Sequence, residues 1–189
     1  MKVCITGVIG SGKSAIGHIL TDKGKTFISC DEINSELLKD ADYQEILKEN
    51  FGDIIVNGEV DRTKLGEIIF SDKDKRELLN KLSHPRINDK VMQEINKEGN
   101  IFIEVPLLIE SGLADNFDRI WLVLPDKNKQ VQIIMDRDHI SSELAQKKIM
   151  LQQGNENKLV ALATDIVYND YNYEKLTQKV EKLLQKLEN

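Results

Sequence analysis

Gly7-Val8-Ile9-Gly10-Ser11-Gly12-Lys13-Ser14 places three glycines, a lysine and a hydroxyl directly after the apolar run Val3 to Thr6. Glycine leaves no Cβ between the backbone amides and a ligand, so successive N–H groups can point into one concavity. If a helix starts there, its positive end faces the same concavity. The spacing is G-x-x-x-x-G-K-[ST], which cradles the terminal phosphates of a nucleoside triphosphate. Gly7, Ile9, Gly10, Ser11, Gly12, Lys13, Ser14 and Ala15 are the expected nucleotide-binding residues. Lys13 bridges β- and γ-phosphate oxygens, and the Ser14 hydroxyl is the candidate ligand for Mg²⁺, with ATP as the nucleotide. The bland alternative is a glycine-rich turn with an incidental Lys and Ser. It gives no reason for the loop to lie between a buried strand and a helix.

Such a loop needs a sheet edge to stand on. Strand-like runs occur at Val3 to Thr6, Thr26 to Cys30, Ile101 to Val105, Ile120 to Leu124 and Ile166 to Tyr168. The first, third and fourth are continuous apolar runs, as expected of strands covered on both faces. Between them lie helical patterns: Ile16, Ile19 and Leu20 near the start, and Leu176, Val180, Leu183, Leu184 and Leu187 at the end. The pattern predicts an α/β fold, a doubly wound parallel five-stranded sheet of the P-loop NTPase type. The stretch from Cys30 to Ile101 is far longer than a crossover needs and reads as helix over 32–50, 63–70, 73–82 and 86–97. Val56-Asn57-Gly58-Glu59 reads as a small hairpin within it. The expected division is a nucleotide-binding core at 1–31 and 84–189, an inserted helical acceptor lobe at 32–83, and a polar lid at about 136–153.

Switch GTPases share the phosphate loop but need D-x-x-G and N-K-x-D, and neither occurs here. A small core with an insertion and a polar lid looks instead like a kinase of small metabolites. The second strand runs into Asp31, and in a parallel sheet ligands lie at the carboxyl ends of the strands. A carboxylate there can accept or orient the proton of an attacking hydroxyl. It can equally cap the helix that begins near Glu32, and position alone leaves both roles open.

Several motifs in order resemble the dephospho-CoA kinase family over Lys2 to about Val180. They are the loop itself, Cys30-Asp31-Glu32-Ile33, Asp61-Arg62 leading to Ile69-Phe70, and His84-Pro85-Arg86-Ile87. Val105-Pro106-Leu107-Leu108-Ile109-Glu110, Arg137-Asp138, Gln153, and Asp165-Ile166-Val167 with Asn169 follow. The resemblance implies ATP-dependent phosphorylation of the ribose 3′-hydroxyl of dephospho-CoA. It implies Asp31 as the base, with Lys13 and Arg137 in the catalytic set. Asn169 and Arg137 join the nucleotide site, and Arg62, His84, Pro106, Leu107, Leu108 and Glu110 the acceptor site. Glu104 resembles the acid that supports Mg²⁺. Plainer roles stay open beside these: His84-Pro85 as a helix start, Arg137 as a surface partner of Asp136 or Asp138, Glu110 in a local hydrogen bond. The chain departs from the pattern at Ser29, where an Asp is usual. Thr164 interrupts an Ala-Asp pair, and Tyr171 replaces a glycine expected after Asn169. Ile133 and Lys148 stand where many relatives carry Arg.

Composition narrows the partners. The 189 residues carry a net charge of −6, with 40% hydrophobic and 31% charged residues. That is an ordinary globular composition, without the basic excess of a general nucleic-acid or membrane-surface binder. No apolar run is long enough to span a membrane, and the opening run, broken by Gly7, is too short for a signal peptide. Cys4 and Cys30 read as reduced, buried thiols. The expectation is a cytoplasmic monomer or weak homo-oligomer with small-molecule partners, dephospho-CoA and ATP. The rival expectations are a nucleoside or nucleotide kinase of similar build and a nucleotide-binding regulator that transfers nothing.

Overall fold

The computed structural model describes residues 1–188; the side chain of Gln153, one of the motif positions, lies outside the described residues. The elements run β1 (Lys2–Gly7), α1 (Lys13–Asp22), β2 (Thr26–Ser29), α2 (Cys30–Leu37), α3 (Ala41–Phe51), β3 (Ile55–Val56), β4 (Glu59–Val60), α4 (Arg62–Ser71) and α5 (Lys73–Ile95). They continue β5 (Ile101–Glu104), α6 (Leu108–Ser111), β6 (Arg119–Pro125), α7 (Lys127–Asp138), α8 (Ser142–Leu162), β7 (Asp165–Asn169) and α9 (Tyr173–Glu188). Among the described residues no helix is long and apolar enough to cross a membrane.

The chain divides into two compact units, 1–28 with 97–189, and 29–96. The first holds a five-stranded parallel sheet in the order β2-β5-β1-β6-β7. Its register pairs Val3 with Phe102 and Ile5 with Trp121, which stacks those two ladders of side chains on one face. The Phe102 and Trp121 rings meet there at 5.4 Å, tilted by 53°. Ile16, Ile19 and Leu20 of α1, and Leu176, Val180, Leu183 and Leu184 of α9, close the same face. The 3.6-residue spacing of both helices and the two-residue alternation of the strands thus meet in one apolar layer. Burying each such side chain contributes about 1.5–3 kcal/mol. The opposite face carries Cys4, Ile103, Ile120 and Leu122, all buried, with α8 packed against β6. At the far edge, the Thr164 hydroxyl accepts the N–H of Ile120 at 2.9 Å, so the unexpected residue before Asp165 serves the β6–β7 pairing.

The second unit is helical, with the hairpin as expected: β3 and β4 pair antiparallel across Asn57 and Gly58, both at positive φ, as a two-residue type I′ turn requires. Other details differ from the expectation. The helix expected at 32–50 is two, α2 and α3, because Asp40 accepts the N–H of Tyr43 and starts a new helix. The segments expected at 73–82 and 86–97 are one helix, α5, which runs through Pro85. Proline withdraws one N–H from the ladder. The Arg86 guanidinium donates to the Leu82 carbonyl at 2.8 Å beside the interruption, and also lies 5.0 Å from the Tyr43 ring. The Tyr43 hydroxyl meets Ser83 Oγ at 2.8 Å, in a buried pair that ties α3 to α5. Because α5 is continuous, 84–96 group with the second unit, whereas the expected boundary was 83.

Cys30 is also not a strand residue: it opens α2 and is only partly buried, while Cys4 is buried, and neither is in a disulfide. Ser29 ends β2 and caps α2. Its Oγ accepts the Glu32 N–H at 3.1 Å, and the Glu32 carboxylate accepts the Ser29 N–H at 3.0 Å. This reciprocal box explains the serine at that position. It also removes the capping role from Asp31, which sits exposed in the first turn of α2. Ser29→Ala is expected to cost about 1 kcal/mol and to lower the thermal midpoint by about 2–4 °C in a circular-dichroism melt. An unchanged midpoint would show that the cap contributes nothing.

Candidate active site

The phosphate loop leaves the carboxyl end of β1 and enters α1 through Gly12. Most longer helices of the chain begin with a side-chain cap: Ser29, Asp40, Asp61, Asp72, Asp126 and Ser141 each accept a first-turn N–H of α2, α3, α4, α5, α7 and α8. Helix α1 differs. Its N-cap is Gly12, with no side-chain cap and no acidic residue in the first turn. Orphan N–H groups and the positive end of the helix dipole are therefore left for an anion. Gly12 has φ 87°, and a Cβ there would run into the Asn169 amide nitrogen. Gly10 has φ 72°, and its Cβ would lie 2.9 Å from Ile134. The backbone approaches its neighbours too closely for any side chain.

The loop's carbonyls have partners from several directions. Lys13 Nζ donates to the carbonyl oxygens of Gly7 at 3.0 Å and Val8 at 3.3 Å. Gln130 of α7, buried, donates its amide to Ile9 O at 2.8 Å. The Tyr171 hydroxyl donates to Gly10 O at 2.7 Å, and Asn169 Nδ2 to Ser11 O at 2.9 Å. Five consecutive carbonyls, from Gly7 to Ser11, are thus held by side-chain donors. Carbonyls turned toward an anion would repel it; carbonyls engaged elsewhere leave the intervening N–H groups to bind it. Two of those N–H groups have partners within the protein: that of Ile9 meets Gln152 Oε1 of α8 at 2.7 Å, and that of Ser11 meets the Val8 carbonyl at 3.2 Å.

Asn169 is the hub of this support. It is buried, its Oδ1 accepts the Tyr171 N–H at 2.9 Å, and its carbonyl accepts the Asp126 N–H at 2.8 Å. It acts on the loop's backbone. Gln130, Gln152 and Tyr171 were not among the expected site residues. No motif announces the first two, and the third stood out only as a departure from the family pattern.

Pro106, Leu107, Leu108 and Glu110 line a cleft of about 160 Å³ with Gly7 and Val8 of the loop and Leu151, Gln152, Asn155 and Leu159 of α8. Asn155 donates to Glu110 Oε1 at 2.9 Å, so Glu110 does take part in a local hydrogen bond. Ser14 is exposed in the first turn of α1. Glu104, paired in register with Ile5, is buried at the carboxyl end of β5. Arg137, at the end of α7, forms a fork with Asp138 at 2.7 and 3.2 Å, and Lys148 Nζ reaches the same carboxylate at 2.6 Å. The Arg137 hydrogen bonds hold the Asp138 carboxyl well below its usual range, with Lys148 adding to the effect. The expected lid at about 136–153 is the end of α7, the turn at His139 and the first part of α8. In the second unit, Arg62 opens α4 behind its Asp61 cap and is exposed, and His84 is half-buried within α5. His84 therefore neither starts nor caps a helix.

Asn169→Ala leaves the buried Ser11 carbonyl and the Tyr171 N–H without these partners. An unsatisfied buried group costs roughly 1–3 kcal/mol. ATP affinity in equilibrium binding is expected to fall roughly tenfold or more, and unchanged affinity would exclude the supporting role.

Comparison with known proteins gives the same direction. The family model described as dephospho-CoA kinase matches residues 1–175. A dephospho-CoA kinase of Fusobacterium nucleatum is 37% identical over 186 residues, covering 96% of each chain. Among solved structures, dephospho-CoA kinase from Campylobacter jejuni superposes with a TM-score of 0.74 at 29% identity, over 99% of this chain and 98% of that one. A Thermus thermophilus protein, TT1252, superposes with a TM-score of 0.78 at 28% identity, over 99% and 97%. A phosphate loop with five braced carbonyls, on this sheet order and with these relatives along nearly its whole length, places the chain in the dephospho-CoA kinase family.

Proposed function

We propose that the chain transfers the γ-phosphoryl group of ATP to the ribose 3′-hydroxyl of dephospho-CoA, giving coenzyme A and ADP. The observation that carries the nucleotide half is the uncapped, acid-free start of α1 beneath a loop whose carbonyls are engaged elsewhere. The acceptor half rests on family membership.

In this reading the loop from Ile9 to Ala15 holds the β- and γ-phosphates, chiefly through the amides that Gln152 and the loop's own carbonyls do not engage. Lys13 reaches their oxygens from its position against the Gly7 and Val8 carbonyls. Asp31, released from capping by Ser29, accepts the proton of the 3′-hydroxyl as O3′ attacks the γ-phosphorus and the bond to ADP breaks. Burial of the reacting groups by the lid keeps water from competing as acceptor. Arg137 exchanges its Asp138 carboxylate for phosphate oxygens when the lid closes, where its charge stabilises the transferring group. Arg62 and His84 bind the acceptor, Pro106 to Leu108 form its apolar wall, and Glu110 takes one of its polar groups.

The residues present fit Mg²⁺. Among the described residues no cluster of three His, Cys, Asp or Glu could cage a metal ion. Mg²⁺ prefers few protein ligands with nucleotide oxygens and water, so the Ser14 hydroxyl suffices, with Glu104 as the supporting acid. When bound, the ion neutralises charge on the β- and γ-oxygens. Freely diffusing substrates suit a cytoplasmic monomer or weak homo-oligomer.

The test is to offer Mg·ATP with dephospho-CoA, adenosine, nucleoside monophosphates or no acceptor, and to weigh the products by mass spectrometry. One added phosphoryl group on dephospho-CoA is the expected product. Transfer only to a monophosphate would sink the assignment, and ATP binding without any transfer would favour a regulator. Asp31→Asn is expected to keep ATP affinity within about twofold while turnover falls roughly a hundredfold or more. Near-normal turnover would take Asp31 out of the base role.

A further inference from the structure

Tyr171 follows Asp170 in the turn after β7 and adopts φ 59°, a left-handed conformation that favours glycine and is costly for a bulky residue. It is held there from two sides. Its own N–H donates to Asn169 Oδ1 at 2.9 Å, and its hydroxyl donates to Gly10 O at 2.7 Å, across 161 residues of sequence. The side chain is half-buried. Burial pushes its hydroxyl up to about 12, and the negative charge of Asp126 adds to this, so it remains a donor at any working pH. A strained backbone persists only where its surroundings over-determine it, and here those surroundings end on the phosphate loop.

We infer that Tyr171 is a positioning residue for the phosphate loop: its hydroxyl fixes the Gly10 carbonyl away from the anion site and, through the same peptide, keeps the Ser11 N–H on the Val8 carbonyl, which holds the turn of the loop. Peptide geometry makes the coupling direct. The Gly10 carbonyl and the Ser11 N–H belong to one planar peptide and point in opposite directions. Holding the oxygen therefore also keeps the Ser11 N–H on the Val8 carbonyl, at 3.2 Å. Without the hydroxyl, that peptide can turn its oxygen toward the anion and repel it. The neighbouring peptides are braced by Gln130 and Asn169, so Tyr171 completes a row at the one position those side chains do not serve. The inference rests on the loop holding the nucleotide's phosphates, and goes beyond it by naming what sets one of its peptides.

The experiment uses the full chain with Tyr171→Phe and Tyr171→Gly, and measures equilibrium binding of ATP, ADP and inorganic tripolyphosphate. Loss of one hydrogen bond from the loop is expected to weaken all three by a common factor of roughly three- to tenfold. KM for ATP should rise by the same factor, with kcat within about twofold and KM for the phosphoryl acceptor unchanged. Tyr171→Gly relieves the backbone strain yet lacks the hydroxyl, so it should show the same weakening even if its thermal midpoint is unaltered or raised. That separates loop positioning from a stability effect. If Tyr171→Phe does not fold, Tyr171→Gly carries the comparison alone. Unchanged affinity for all three probes overturns the inference. Weaker ATP with unchanged tripolyphosphate also overturns it, because the ring would then be reading the nucleoside. Failure of the parent chain to bind any of the three overturns the phosphate-loop reading as well, and so is distinguishable from the first two results.

Discussion

A backbone that binds an anion through its N–H groups must put its carbonyls somewhere else. Each peptide is planar, with N–H and C=O opposed, so amides cannot converge on a phosphate unless the oxygens diverge from it. The loop from Gly7 to Ser11 meets this demand with donors drawn from four places: Lys13 at the start of α1, Gln130 in α7, Asn169 at the end of β7, and Tyr171 in the next turn. The sheet order β1-β6-β7 is what makes the supply workable. β6 leads into α7 and β7 into the Tyr171 turn, and in a parallel sheet both exits lie at the edge where β1 releases the loop. The core of α1, α9 and the sheet fixes α1 and the strands that lead to these donors.

The same constraint explains how much of the site the sequence revealed. The glycine spacing and the apolar runs are local patterns, and each matched an element that lies where its period predicts. Gln130 meets Ile9 over 121 residues, and Asn169 meets Ser11 over 158. A side chain bonding a distant backbone oxygen leaves no periodic trace, and glutamine is common enough on helices to draw no notice. The family motif implies Asn169 as a nucleotide contact, and the side-chain bond it makes to the loop is to the Ser11 carbonyl. Asp31 could not be separated from a helix cap by position. Only the reciprocal bonds of Ser29 and Glu32 separated them.

In the second unit the helix boundaries differ from the sequence pattern at Pro85, which lies inside α5, and at Asp40, which starts α3. Pro85 removes the bond to the carbonyl four residues back, and in the adjoining position Arg86 bonds the carbonyl of Leu82 while also lying over the Tyr43 ring. Tertiary contacts from α3 thus hold α5 together at its weakest turn. An aspartate in a polar stretch looks like surface, yet the Asp40 side chain accepts the Tyr43 N–H in the first turn of α3. Both outcomes depend on side-chain geometry that the order of residues does not display.

The departures from the family pattern show substitution by equivalent physics. Ser29 stands where an aspartate is usual, and supplies the cap oxygen that α2 needs at its first turn. Tyr171 stands where glycine is usual, and accepts a strained backbone in return for a hydroxyl on the loop. Lys148 stands where arginine is common, and shares the Asp138 carboxylate with Arg137. In that last case the equivalence is incomplete. An ammonium group satisfies one oxygen as a point charge, whereas guanidinium forks onto two. Asp138 is therefore neutralised by two cations of unequal geometry. In the proposed transfer, where Arg137 moves to a phosphate, the Lys148 ammonium still holds the Asp138 carboxylate.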